Sequence, residues 1–166
     1  KLKPFFDRKY GNVTAGNSSQ VTDGGTWLVI ASERAVEKHK LLPRGRIVDS
    51  QWAGLDPAQM GMGPVHAATP ILQRHGLALN DLDAWEINEA FAAQVIACQR
   101  AWESEEYCRT ELGLPGALGA IDPARELERR GLDRALEQVV DQLAPAAALE
   151  LDHAGEDLVL AVLAPG

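Results

Sequence analysis

Apolar positions along the chain fall into short runs separated by helical periodicities. Residues 26–31 form a compact apolar run of strand length, and residues 46–52 read as another strand. Between them, residues 33–40 predict a short helix, closed by Leu41-Leu42-Pro43-Arg44-Gly45. This β-α-β alternation points to an α/β layer fold. A second helix is predicted from Pro64 to about His75, with Ala67, Ile71 and Leu72 on its apolar side. Pro64 suits a first helical turn and Gly76 a C-terminal stop. Asn80-Asp81-Leu82-Asp83 reads as a turn, residues 84–88 as a buried strand, and residues 90–102 as a helix. Phe91, Val95 and Cys98 share the core face of that helix. Residues 103–123 read as a surface excursion that begins as helix. Residues 124–143 have the spacing of an amphipathic helix interrupted near Gly131 and ended by Pro145. Two apolar runs, 147–152 and 158–163, then read as a β-hairpin around residues 153–157.

Polar chemistry gathers at one junction of this pattern. Asn88-Glu89-Ala90-Phe91 lies where a strand runs into a helix, the end of an α/β sheet that opens towards ligands. Asn88 is equally suited to capping that helix. Two small-residue loops precede it. Gly11 to Gln20 is either a close-approach loop or a turn capped by Asn or Ser. Residues 56–67 carry two glycines and a proline in an irregular loop. His66 and His75 read as surface or packing residues, and Asp152-His153 as part of a turn.

Composition narrows the partners. With 166 residues there is enough chain for one domain with a core, and a net charge of −8 gives no field for nucleic acid or an anionic membrane. Cys98 and Cys108 lie outside any CxxC or metal-ligand spacing, so they read as reduced thiols of a cytoplasmic protein, with no metal site. No apolar run is long enough to span a bilayer, and no signal peptide is visible, although the chain begins at Lys1.

Three stretches, in order, resemble the middle of a thiolase (acetyl-CoA C-acyltransferase, β-ketothiolase). They are Val13-Thr14-Ala15-Gly16-Asn17-Ser18-Ser19 with Thr22-Asp23-Gly24, then Met60-Gly61-Met62-Gly63-Pro64, then Asn88-Glu89-Ala90-Phe91-Ala92. The resemblance covers about residues 1–123. It implies an α/β, thiolase-like layered fold, here incomplete. Residues 1–53 would be the end of the family's N-terminal half and residues 54–123 the start of its C-terminal half. Residues 124–166 would form an α+β tail outside the family pattern. The implied reaction is reversible Claisen condensation or thiolysis of 3-oxoacyl-CoA, with CoA or acyl-CoA as substrate and no covalently bound cofactor.

Family chemistry uses a nucleophilic cysteine, a proton-shuttling cysteine, a histidine, and an asparagine that orients an oxyanion-hole water. Of these, only the asparagine matches, as Asn88. By the same resemblance Ser19 would contact the pantetheine of CoA, and Ala15 and Gly16 would form the tight turn of that CoA-binding loop. Met60, Gly63, Pro64 and Phe91 would shape the acyl channel. The Gly-His-Pro and Cys-Gly-Gly-Gly motifs expected after Pro123 are absent, and neither Cys98 nor Cys108 fits a catalytic setting. The expectation is therefore a thiolase-type chain inactive by itself. It would act in a homo-oligomer, beside a complementary thiolase chain, or as a non-catalytic CoA-binding or interaction module.

Overall fold

The structure, a computed structural model, describes residues 2–25 and 27–125. Four helices carry it: α1, Glu33–His39; α2, Gly63–His75; α3, Ala92–Glu103; and α4, Glu105–Thr110. Short 3₁₀ turns occupy Ala15–Asn17, Pro57–Met62, Leu79–Asp81 and Pro123–Arg125.

Local chemistry sets the helix ends. Ser32 Oγ accepts the Ala35 N–H at 3.2 Å and opens α1, with Glu33 in the first turn and Lys38 and His39 in the last, as the helix dipole favours. Pro64 sits in the first turn of α2. Gly76 follows its end at φ 63°, where a glycine pays no Cβ penalty, and the Gly76 and Leu77 amides return to the Gln73 and Leu72 carbonyls. Ser104 ends α3 and opens α4, its Oγ accepting the Tyr107 N–H at 3.1 Å.

The principal core cluster draws on residues 62–121. Val65, Ala68 and Leu72 of α2 meet Cys98, Ala101 and Trp102 of α3, with Leu79, Trp85, Ile87 and Ile121 closing around them. Trp102 and Trp85 lie with ring centroids 5.3 Å apart. Both indoles bury an N–H, and both are satisfied: Trp102 Nε1 donates to Thr69 Oγ1 at 3.0 Å and Trp85 Nε1 to the Leu79 carbonyl at 2.8 Å.

Several expectations are corrected. The runs at 26–31, 46–52 and 84–88 form no strand among the described residues. Trp27, Leu28, Val29 and Ile30 stand 96%, 81%, 76% and 65% exposed. A strand is stabilised by a neighbour that takes its N–H and C=O groups, and no described segment pairs with this run. The buried face of α2 is Val65, Ala68, Thr69, Ile71 and Leu72, so Ala68 rather than Ala67 points inward. Helix α3 starts at Ala92, and its N-cap position is Phe91, so Asn88 does not cap it. Residues 103–123 are more than a surface excursion. Cys108, Leu114 and Ile121 are buried, and the Leu118 and Gly119 amides donate to the Trp102 carbonyl at 2.9 and 3.1 Å. The helix and hairpin expected beyond residue 125 lie outside the described residues.

One polar cluster ties residues 49–51 to the end of α2. Arg74 Nη2 lies 2.8 Å from Asp49 Oδ2, its Nε donates to the same oxygen at 2.9 Å, and its Nη1 donates to Gln51 Oε1 at 2.9 Å. His75 Nε2 lies 3.0 Å from that Asp49 oxygen. The Arg74 hydrogen bond, with smaller help from the Ser50 amide and His75, holds the Asp49 carboxyl below the usual carboxylate range. A depressed folded-state pKa means the tether is fully present above the free carboxylate value, near pH 4, and is lost as pH falls through the lower folded value. Protection of the residue 49–52 amides, taken relative to their intrinsic exchange rates at each pH, is expected to fall on acidification below about pH 4. Asp49→Asn should exchange quickly at neutral pH already. Equal exchange in both proteins at pH 7 would remove the ion pair as the tether.

Candidate active site

The three loop and junction stretches singled out in the sequence meet at the first turns of α3. The first is shaped by its own polar side chains. Thr14 and Asn17 form a reciprocal cap: Gly16 N–H donates to Thr14 Oγ1 at 3.2 Å and Thr14 N–H to Asn17 Oδ1 at 2.7 Å. Asn17 Nδ2 donates to the Asn12 carbonyl at 2.8 Å and Ser18 Oγ to the Thr14 carbonyl at 2.6 Å. This is the turn foreseen there, with Thr14 rather than Asn or Ser as the capping residue.

That turn docks on the junction before α3. An isolated antiparallel bridge joins Ser18 to Phe91, and the Ser19 N–H donates to the Ala90 carbonyl at 2.9 Å. The bridge explains the late start of α3, because it holds Phe91 extended at φ −143°, ψ 137°. Phe6 adds an edge-to-face contact with Phe91, centroids 5.9 Å apart, and Phe5 stacks edge-on against Phe6 at 5.2 Å.

The second stretch reaches α3 one to two turns further along. Cys98 Sγ lies 3.3 Å from the Gly61 carbonyl, and a Cβ on Gly61 would meet Gln94 Cγ at 3.4 Å. Gly63 and Pro64 form the first turn of α2 and are half-buried. Met60 is 70% exposed at the head of this loop.

Ala15, Gly16, Ser19 and Asn88 are all exposed beside these contacts, while Phe91 is half-buried. Loop to junction and loop to helix are thus brought together through Ser18, Ser19, Ala90 and Phe91 and through Gly61, Gln94 and Cys98. The helical spacing of Gln94 and Cys98 signals a shared face of α3, but no sequence signal says which loop they meet.

The remaining titratable groups fit packing roles. Burial pushes the Cys98 thiol up to about 11, with the Val65 backbone N–H acting in the opposite direction. Cys98 and Cys108 are both free thiols with no exposed surface. His66 Nε2 lies 2.9 Å from the Tyr107 hydroxyl, with the rings edge-on at 6.0 Å. Burial, then the nearby Glu111 charge, raises the Tyr107 phenol. Among the described residues no cluster of His, Cys, Asp and Glu could hold a metal ion, and no helix is long and apolar enough to cross a membrane.

The chain matches known proteins in sequence and in fold. Residues 1–34 match the family model described as "Thiolase, N-terminal domain", and residues 41–120 match "Thiolase, C-terminal domain". The chain belongs to the thiolase family. The mitochondrial 3-ketoacyl-CoA thiolase of Homo sapiens is 50% identical over 101 residues, 61% of this chain and 25% of that protein. The β-ketoadipyl-CoA thiolase of Pseudomonas aeruginosa is 40% identical over 165 residues, 92% of this chain and 41% of that protein, and so reaches into residues 124–166. The human mitochondrial enzyme solved in complex with CoA superposes with a TM-score of 0.59 at 37% identity, covering 86% of this chain and 35% of that one. The dimeric peroxisomal thiolase of Saccharomyces cerevisiae gives 0.51 at 31% identity, covering 83% and 35%. The fold is therefore part of the thiolase fold, with helices formed and little strand. The chain spans about a quarter to two fifths of the length of these curated relatives.

Proposed function

We propose that this chain carries the CoA-binding and acyl-channel elements of a thiolase-type acyltransferase, and that it needs a nucleophile from another source to turn over. The single observation that supports the reading is the convergence of all three signature stretches on the start of α3. The turn at Ala15, Gly16 and Ser19 would face the pantetheine arm of CoA. Met60, Gly63, Pro64 and Phe91 would line the acyl channel. Asn88, exposed and relieved of helix capping, would orient the water of an oxyanion hole for a thioester enolate, a task for a neutral amide that adds no charge. The reaction would be Claisen condensation or thiolysis of 3-oxoacyl-CoA, and the division into family halves near residue 53 belongs to the same reading.

Covalent acyl transfer uses an accessible thiolate. This chain's two cysteines are buried, and burial raises the Cys98 thiol further, so the nucleophile would come from outside these 166 residues. Its compartment is open among those of its relatives, which by name include mitochondrial and peroxisomal proteins.

Calorimetry with CoA and thiolysis of acetoacetyl-CoA by the purified chain test the proposal together. Saturable CoA binding with no thiolysis is the expected result. Absence of CoA binding would remove the binding role. Turnover abolished by Asn88→Ala would overturn the statement that the chain lacks a nucleophile.

A further inference from the structure

One carbonyl joins the chain beyond α4 to a buried thiol. The Trp102 oxygen accepts the Leu118 N–H at 2.9 Å and the Gly119 N–H at 3.1 Å, and the Cys108 sulfur lies 3.5 Å from the same oxygen. Residues 118 and 119 therefore border the thiol. The stretch they belong to, residues 112–122, is pinned at both ends. Next to α4, the Leu114 N–H donates to the Cys108 carbonyl at 2.8 Å and Arg109 Nε to the Pro115 carbonyl at 2.9 Å. At the far end Asn80 grips the chain with both halves of its amide. Its Nδ2 donates to the Ala120 carbonyl at 3.1 Å and its Oδ1 accepts the Asp122 N–H at 3.0 Å, one on each side of Ile121. A neighbouring strand would offer an extended chain the same donor and acceptor. Asn80 is held ready for this: Leu79 beside it is buried, and Asp81 Oδ2 closes the Leu79–Asp81 turn by accepting the Ala78 N–H at 2.8 Å.

Between its pins the stretch has no helix or strand of its own. Leu114 and Ile121 are buried and Leu112 and Leu118 partly so, while the Arg109 and Asn80 contacts lie in water. The α2–α3 contact beneath is different in kind, with Val65, Cys98 and Trp102 fully covered. A segment with few buried apolar groups and exposed hydrogen bonds opens at lower free energy than the core it rests on.

We infer that residues 112–122 form a strap that opens as one unit while the α2–α3 core stays folded, that Asn80 is its latch, and that this opening gives access to Cys108 but not to Cys98. Opening releases the two Asn80 bonds and the two amides on the Trp102 carbonyl, and it withdraws Ile121 from the core. Gly113, already at φ 65° just past α4, is the hinge on the near side. Cys98 belongs to a different contact. Its sulfur faces the Gly61 carbonyl at 3.3 Å, and reaching it requires the packing of α3 on α2 and its preceding loop to part. The strap thus makes one of two buried thiols conditionally accessible, under control of a side chain distant from it in sequence. None of this depends on the acyl-transfer reading above.

Labelling with a thiol-specific disulfide reagent, followed by mass spectrometry of the two cysteine peptides, reads each sulfur separately. It is run in the unaltered chain at urea concentrations below the unfolding transition. The Cys108 rate is expected to change little with urea, as for an opening that exposes little surface, while the Cys98 rate climbs steeply, as for global unfolding. Asn80→Ala, at an exposed position, removes both latch bonds. It should speed Cys108 labelling about tenfold and leave Cys98 within about twofold. Equal urea slopes for the two cysteines in the unaltered chain would overturn the strap, whatever the variant does. Equal acceleration of both cysteines in Asn80→Ala would also overturn it, by making Asn80 a support of the whole fold. An unchanged Cys108 rate in that variant would remove Asn80 as the latch.

Discussion

Trp102→Ala is expected to abolish cooperative unfolding of the chain. Trp102 has no exposed surface and sits at the centre of the α2–α3 contact, ring to ring with Trp85. Its truncation removes the largest buried side chain and leaves a cavity, a loss of roughly 3–5 kcal/mol. It also strips Thr69 Oγ1 of its indole donor in a buried site, which adds about 1 kcal/mol or more. Small domains hold only about 5–15 kcal/mol in total, and here the principal cluster comes from residues 62–121 alone. Far-UV circular dichroism against urea reads the result: a broad, shallow decline in place of a sigmoid. Trp27→Ala is the control. That indole is 96% exposed, so the change should fall within about 0.5 kcal/mol. An unchanged midpoint for Trp102→Ala would mean that the α2–α3 contact does not hold the fold.

What the sequence revealed and what it concealed follow from the range of the interactions. Helices α1 and α2 were legible because their signals are local: Ser32 before Glu33, Pro64 inside the start, Gly76 beyond the end. The strands were not realised, because a strand's hydrogen bonds belong to its neighbour. Trp27 to Ile30 keeps the apolar composition of a buried strand and lies exposed, since no described segment pairs with it. Asn88 and Phe91 show the same lesson at one residue's scale. The local rule makes Asn88 the cap, but the bridge to Ser18 extends Phe91 and moves the start of α3 to Ala92. The pairing of Asp49 with Arg74 and His75 joins positions some 25 apart, with no periodicity to announce it. The candidate site was legible as three motifs. Their convergence on α3, and the part played there by Gln94 and Cys98, emerge only from packing.

The second large effect concerns the thiols. Labelling of the native chain with a thiol-specific disulfide reagent at neutral pH is expected to be at least about 100-fold slower than labelling of the urea-unfolded chain. Two independent factors combine. The Cys98 thiol moves from an ordinary 9.0 to about 11, two pKa units, which leaves roughly a hundredth of the thiolate at a given pH. Cys98 and Cys108 also have no exposed surface, so reagent reaches either sulfur only after local or global opening. Cys108 is held further by the Ala101 and Trp102 carbonyls, 3.4 and 3.5 Å from its sulfur. The pH dependence has a definite sign. Because the folded state favours the protonated Cys98, its contribution to stability is intact below pH 9.0, declines above it, and is lost through about 11. Native labelling should therefore rise steeply only in strong alkali, as the fold loosens. A nucleophile built for acyl transfer would behave in the opposite way, reacting fast at neutral pH in the folded protein and slowing on unfolding. Fast native labelling confined to one cysteine would identify that residue as the nucleophile and end the case for one supplied from elsewhere. Slow labelling of both would leave catalysis to a thiol that this chain does not contain.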